Sequence, residues 1–235
     1  MTEIKLPPRL AAIARRVPPG SCLADVGTDH GLLPVSLLRC GLIRAAIATD
    51  IHVAPLERAR RTAAEFREER IRFVLCDGLD GVGPGEAEAV VIAGMGGENI
   101  ADILRRAPWV CRNVQLLLQP MSRDDVLRRA LRDMNIAVTE EVLVQDAGRI
   151  YPILAARGGS VQAYTAAEYH IGKWELVREL PLLPAALEEQ LSRLRKAEAG
   201  LLRSRREEDR CRLAAVQEAL TGLEEMRRIL HGMRA

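Results

Sequence analysis

The sequence predicts an α/β protein: a doubly wound, mostly parallel sheet with an antiparallel edge hairpin, followed by a helical hairpin. Three observations carry this. Short apolar runs alternate with amphipathic segments from Cys22 to Leu118, the pattern of strands joined by crossover helices. Two loosely alternating runs, Ala137 to Val144 and Arg149 to Ala156, flank the turn Asp146-Ala147-Gly148 and read as an antiparallel pair. Beyond Pro184, apolar residues recur at helical spacing as far as Leu230.

Pro7-Pro8 and RLAAIARRV form a short amphipathic helix, apolar at Leu10, Ile13, Ala14 and Val17, which stops at Pro18-Pro19-Gly20. The stretch SCLADVGTDHGLL, Ser21 to Leu33, organises the chain. It reads as a strand that tolerates one carboxylate, Asp25, then a tight loop between Gly27 and Gly31, then a helix from Leu33 to Arg39 closed by Gly41. Arg44 to Thr49 is a second strand ending at Asp50, and Pro55 starts a helix that runs to Glu65. Ile71 to Leu75 is a third strand leading into Cys76-Asp77-Gly78. Glu88 to Ala93 is a fourth, running into Gly94-Met95-Gly96-Gly97 ahead of a helix from Glu98 to Arg106. Val114 to Leu118 is a fifth, ending at Gln119-Pro120, after which Ser122 and Asp125 predict a capped helix from Arg123 to Asp133.

At Gly158-Gly159-Ser160 the character changes, which predicts domains at 1–159 and 160–235. Thr165 and Glu168 have the spacing of a capping box. Leu187, Leu191, Leu194 and Leu201, then Leu213, Val216, Leu220, Leu223 and Leu230, predict two helices with coiled-coil spacing. Ser204 followed by Glu207 is a helix start signal that separates them, although neither glycine nor proline intervenes and one uninterrupted helix is the alternative.

With 235 residues, 48% hydrophobic and 28% charged, the chain has the composition of a globular protein. No apolar run approaches the roughly 18 residues that span a bilayer, and no apolar core of a signal peptide precedes Pro18, so a cytoplasmic protein with no membrane partner is expected. Cys22, Cys40, Cys76, Cys111 and Cys211 are scattered and read as buried, reduced core residues. His30, His52, His170 and His231 are equally dispersed, so no metal is expected. A net charge of +2 means that a polyanion must be met by a local basic patch. The arginines from Arg203 to Arg212 are interleaved with Glu207, Glu208 and Asp209, which favours a solvated face over a nucleic-acid contact. A monomer or weak dimer is expected.

The candidate site lies at the strand ends, because in open sheets of this kind ligands bind outside the carboxyl ends of the strands. The Gly27 loop ahead of a helix suits a carboxylate-bearing cofactor. Asp29 stands where the dinucleotide fingerprint has its middle glycine, and a carboxylate there repels pyrophosphate but suits a sulfonium cation, so S-adenosylmethionine is a better guest than NAD. Asp50, 23 residues after Gly27, stands where a ribose diol is bound. Asp77 can accept from an adenine amino group, although Asp-Gly is ordinarily just a turn. Met95, between glycines, and Gln119 fall at the same sheet edge. His30 reads first as a structural hydrogen-bonder, and Tyr151 is the aromatic residue near the crevice.

ADVGTDHGLLP, AIATDI, CDGLDG, VVIAGMGG with Ile100 after it, LLLQPM and GRIYPIL, in that order, resemble the bacterial tRNA (adenine-22-N1) methyltransferase family over roughly Arg9 to Ala156. The helical hairpin matches that family's coiled-coil C-terminal domain only in kind. The resemblance implies a Rossmann-like class I methyltransferase that uses S-adenosylmethionine and acts on tRNA. Asp29 is the implied catalytic residue. Gly27, Thr28, Asp50, Ile51, Asp77, Gly78, Ala93 and Gly94 are implied for the cofactor, and His30, Met95, Gln119 and Tyr151 for the substrate. Met121 stands where several relatives carry Asn, and Asp77 where Asn is common. The alternatives are a class I methyltransferase acting on another RNA or on a small-molecule amine, an NAD-dependent oxidoreductase, and a non-catalytic helical adaptor.

Overall fold

The computed structural model describes residues 4–204 and 206–234. The chain divides into two compact units, Met1–Val161 and Gln162–Ala235.

The first unit runs α1 (Pro8–Ala14), β1 (Cys22–Val26), α2 (Leu32–Arg39), β2 (Ala45–Asp50), α3 (Val53–Glu65), β3 (Ile71–Leu75), β4 (Ala89–Gly96), α4 (Gly97–Arg106), a 3-10 turn at Pro108–Cys111, β5 (Gln115–Ser122), α5 (Asp124–Asp133), β6 (Ile136–Asp146) and β7 (Arg149–Gly158). Among the described residues these strands make one seven-stranded sheet in the order β3-β2-β1-β4-β5-β7-β6. β1 to β5 pair in parallel, and β7 pairs antiparallel with both β5 and β6. The order reverses between β1 and β4, so the chain folds outward from β1 in both directions and leaves a crevice at its carboxyl end.

Each face of the sheet carries a core. On one, Ala24, Val26, Val90, Ile92, Leu116 and Leu118 pack against α4 and α5 through Ile100, Leu104, Leu127 and Leu131. On the other, Leu23, Ala46, Val91, Leu117 and Ile153 meet Ile13 of α1 and Leu33, Leu37 and Leu38 of α2. Strand side chains alternate between faces, so Asp25 shares the side of Leu23, toward α1 and α2. β4 outruns the expected fourth strand and carries its pairing past Gly94, which has no partner, to Met95 and Gly96, with register shifts on both sides of Met95.

Two expectations are corrected. Ser122 does not cap α5: it is the last residue of β5, and Arg123 forms the N-cap in the left-handed conformation (φ 57°) with no side-chain cap. Asp124 and Asp125 in the first turn supply the negative charge that suits a helix N-terminus. The cysteines are not uniformly core residues, since Cys40 and Cys211 are exposed.

The second unit contains α6 (Ala166–Ile171), α7 (Trp174–Val177), α8 (Leu183–Leu201) and α9 (Glu207–Arg234). The Thr165 capping box is formed: Glu168 N–H donates to Thr165 Oγ1 (3.2 Å) and Thr165 N–H to Glu168 Oε2 (2.8 Å). Burial would raise the Glu168 carboxyl, but hydrogen bonds from Thr165 N–H, Trp174 N–H and Lys173 hold it below its usual range. The long helical run breaks between Leu201 and Glu207, at the start signal. Pairs Glu188–Arg227, Arg195–Glu224 and Glu198–Gln217 show that α8 and α9 lie antiparallel, with Leu187, Leu191, Leu220 and Leu223 buried. Periodicity did not reveal α6 and α7, which are too short to show a repeat. Among the described residues no helix is long and apolar enough to cross a membrane.

Beneath α5, Arg128 meets Glu141 of β6 in a bidentate pair (2.7 and 3.2 Å) with side chains 1% and 0% exposed. This pair fixes β6, whose last residue, Asp146, is ion-paired with Arg9 (2.7 Å). Arg128→Met leaves the Glu141 carboxylate buried without its charge partner and should cost about 3 to 5 kcal/mol in urea unfolding, whereas Arg128→Met with Glu141→Leu should recover most of that loss.

Candidate active site

Three strand ends meet around Thr49, which is fully buried. Its carbonyl accepts from Gly27 N–H (2.8 Å) and Thr28 N–H (3.0 Å), and its Oγ1 donates to Gly78 O (2.8 Å). The loops after β1 and β3 are thereby bound to the end of β2. Gly27 has φ 72°, so the turn calls for glycine, and a Cβ there would also push aside the Met95 Cε methyl that lies over it.

Two cavities share Val26 and Gly27 as a common wall. The larger, about 460 Å³, is lined by Asp50, Ile51, Asp77, Gly78, Met95 and Arg106 among others. The smaller, about 280 Å³, is lined by Asp25, Thr28, Asp29 and His30 from β1 and its loop, Ala93 and Gly94 from β4, Gln119 from β5, and Arg9 from α1.

In the larger cavity Asp50 Oδ1 accepts from His52 N–H (2.8 Å), which orients the carboxylate at the tip of β2. Ile51 beside it is 58% exposed, an apolar side chain facing open space. Asp77 is paired with Arg106 (2.9 Å), which also reaches Asp80 (2.6 Å).

In the smaller cavity Asp29 has φ 40°, a left-handed conformation that Asp tolerates better than most residues. Its carboxylate is ion-paired with Arg58 of α3, and His30 Nε2 lies 3.5 Å away. Asp25 is buried and accepts a hydrogen bond from Thr28 Oγ1 (2.6 Å). Desolvation pushes its carboxyl up to about 6, against the opposing pull of the Thr28 hydroxyl. Gln119, fully buried, accepts through Oε1 from Gly94 N–H (3.2 Å) and Arg9 Nη1 (3.1 Å), and donates through Nε2 to Pro120 O (2.8 Å).

The sequence candidates are thus brought together, with two reassignments of place. Met95, expected on the substrate side, forms a wall of the larger cavity with Asp50 and Asp77. Tyr151 lines neither cavity: it is buried, with the Arg9 guanidinium 4.9 Å over its ring.

A methyltransferase-domain family model matches residues 6–154. The tRNA (adenine(22)-N(1))-methyltransferase of Bacillus subtilis (strain 168) is 34% identical over 165 residues, 69% of this chain and 69% of the relative. The chain belongs to the tRNA (adenine(22)-N(1))-methyltransferase family. The crystal structure of the B. subtilis m1A22 tRNA methyltransferase TrmK superposes with a TM-score of 0.85 at 26% identity, over 96% of this chain and 100% of that one. Streptococcus pneumoniae Sp1610, solved in complex with S-adenosyl-L-methionine, superposes with a TM-score of 0.75 at 30% identity, over 90% of this chain and 98% of that one.

In this methyltransferase the site residues that sequence reasoning missed are Asp25, Thr49, Arg9, Arg58 and Arg106. Asp25 carried a signal, a lone carboxylate in an apolar strand just before a glycine loop. The arginines carried none, since each meets its carboxylate only through the fold.

A carboxyl raised above its ordinary 3.8 costs the folded protein stability once it ionises, so the cost is absent below that value and complete above about 6. Asp25→Asn removes this cost. In the cofactor-free protein its stability relative to wild type should rise by roughly 2 kcal/mol between pH 4 and pH 7.5, measured by urea unfolding at both values.

Proposed function

We propose that this protein transfers the methyl group of S-adenosylmethionine to N1 of adenine 22 in tRNA. The observation that carries the reading is the pair of cavities joined at Val26-Gly27, one with a diol acceptor at Asp50 and the other with two carboxylates, Asp25 and Asp29. Asp25 tests the fit: a buried carboxyl that resists ionisation alone is matched by a group bearing a positive ammonium. Asp50 then takes the ribose diol, Ile51 lies against the adenine ring, and Asp77 with Gly78 meets its amino edge. The Gly27, Thr28, Ala93 and Gly94 main chain takes the amino-acid end.

When bound, the cofactor supplies an electrophilic methyl on its sulfonium. The attacking ring nitrogen is neutral, so the protein need only align it and stabilise the positive charge that develops on the ring, and no strong base is called for. Asp29 accepts from the exocyclic amino group and stabilises that charge. Arg58 shares the Asp29 carboxylate in the free protein, so entry of the nucleotide must loosen this exposed pair, a modest cost for partners 40% and 61% exposed. His30 at the rim of the smaller cavity is on the substrate side, and Gln119 acts there through the main chain it holds. Met95 bounds the reacting space from the cofactor side.

If the second unit helps to hold tRNA, Arg203, Arg206, Arg210 and Arg212 are its candidate contacts, although acidic residues are interleaved with them. Arg205, of the same cluster, lies outside the described residues. The protein acts in the cytoplasm, as a monomer or weak dimer. The deciding experiment is calorimetric titration with S-adenosylmethionine, then mass mapping of the nucleotide methylated in unfractionated tRNA. No binding, or methyl transfer elsewhere than adenine 22, refutes the proposal.

Asp50→Ala should weaken cofactor binding about tenfold or more, the loss of charge-assisted hydrogen bonds worth about 1.5 to 3 kcal/mol, and unchanged affinity would remove Asp50 from the site. Asp29→Ala should bind the cofactor within a few-fold of wild type but lose on the order of a hundredfold in single-turnover rate. Asp29→Asn should recover little, because an amide carries no charge. Ending the chain at residue 159 should raise the KM for tRNA and spare cofactor affinity, so an unaltered KM would discard the role of the second unit.

A further inference from the structure

Arg9 joins α1 to the far side of the sheet. Its Nε donates to Asp146 Oδ2 (2.7 Å) at the end of β6, and its Nη1 to Gln119 Oε1 (3.1 Å) on β5. The guanidinium plane covers Tyr151 of β7. Only a planar fork satisfies this set, since an ammonium is a point charge with no second arm held at a fixed angle.

What Arg9 holds matters more than where it lies. Gly94 has φ 80°, and the register between β4 and β5 shifts between Ala93 and Met95. Its N–H is instead taken by Gln119 Oε1. The same oxygen accepts from Arg9, and the amide's other end donates to Pro120 O (2.8 Å). Turning the carboxamide over would set an NH2 group against two donors, so Arg9 allows one orientation only. Space for a Cβ exists at Gly94, hence the bulge is kept by this hydrogen bond and by glycine's tolerance of positive φ, not by packing. Gly94 and Gln119 both line the smaller cavity.

We propose that Arg9 is a positioning residue for methyl transfer: through Gln119 it fixes the Gly94 bulge, and with it the wall against which the reacting groups are aligned. The inference rests on the functional reading above. Asp146 is part of the device, because it neutralises a guanidinium that would otherwise oppose the positive charge forming on the nucleotide ring.

The test is single-turnover methylation of tRNA at saturating cofactor by wild type, Arg9→Ala, Arg9→Lys, Gln119→Leu and Arg9→Ala with Gln119→Leu, together with thermal melting of each. Hydrogen exchange of the Gly94 amide is followed in cofactor-free wild type and Arg9→Ala. A small misplacement of reacting groups costs on the order of a hundredfold, so Arg9→Ala should lose roughly ten- to a hundredfold in rate with little change in cofactor affinity. Arg9→Lys should restore less than a third of the lost rate on a logarithmic scale, about what one retained hydrogen bond allows. The double variant should be about as slow as the slower single one, since both remove the same strut. The Gly94 amide should exchange faster in Arg9→Ala. Losses that multiply in the double variant, full rescue by lysine, or a rate that falls only in proportion to a lowered melting temperature would overturn the proposal. Unchanged Gly94 exchange would overturn it too, and that measurement decides even if Gln119→Leu fails to fold. Absence of methylation by wild type would count against the functional reading, and the exchange comparison would still judge Arg9.

Discussion

Everything at the sheet edge hangs on the buried threonine at the end of β2. Thr49 takes two amide protons of the glycine loop through its carbonyl and gives its hydroxyl to the carbonyl of Gly78. Neither group is spare: each satisfies backbone that would otherwise be buried without a partner. With the loops after β1 and β3 tied to one residue, Asp25, Asp50 and Asp77 cannot drift independently. The two cavities therefore keep a common wall, and a ligand spanning both meets a surface already assembled.

The carboxylates at this edge are alike in sequence and unlike in circumstance. Asp25 is desolvated and resists ionisation. Asp29 stands in solvent and is held by Arg58. Asp50 is oriented by a backbone N–H, and Asp77 leans on Arg106. These surroundings set four similar groups apart: one buried and hard to ionise, one exposed and ion-paired, one held by the main chain and one by an arginine.

Much of the fold was legible because it is written in local terms. The five parallel strands show as short apolar runs, and the Gly27 loop and the carboxylate after β2 lie at fixed offsets along the chain. The break between α8 and α9 was announced by Ser204 and Glu207, and the capping box by Thr165 and Glu168. The cap of α5 was misread because Ser122 is drawn into β5, where pairing with Gly96 satisfies its backbone. Within the site, residues on the strand ends were found and their partners were not. Arg58 reaches Asp29 across 29 positions and Arg106 reaches Asp80 across 26, distances at which an arginine on a helix is indistinguishable from any other. Tyr151, expected beside the crevice, lies buried outside both cavities, and nothing in its own segment shows that Arg9 covers it.

The span of the Arg9 contacts bears on how the protein is made. Arg9 leaves the ribosome well before its partners, which lie 110 and 137 positions further on. Until β5 and the β6–β7 hairpin have emerged, α1 has no partner for its guanidinium, and its apolar face has only part of its core. Contacts so distant in sequence are slow to form, because a long loop must close before any of its energy is recovered. A ribosome stalled before the last hairpin would hold a chain with its glycine loop made and its smaller cavity open on one side. The Arg9 side of the smaller cavity is completed only after β6 and β7 have been made, when α1 meets them.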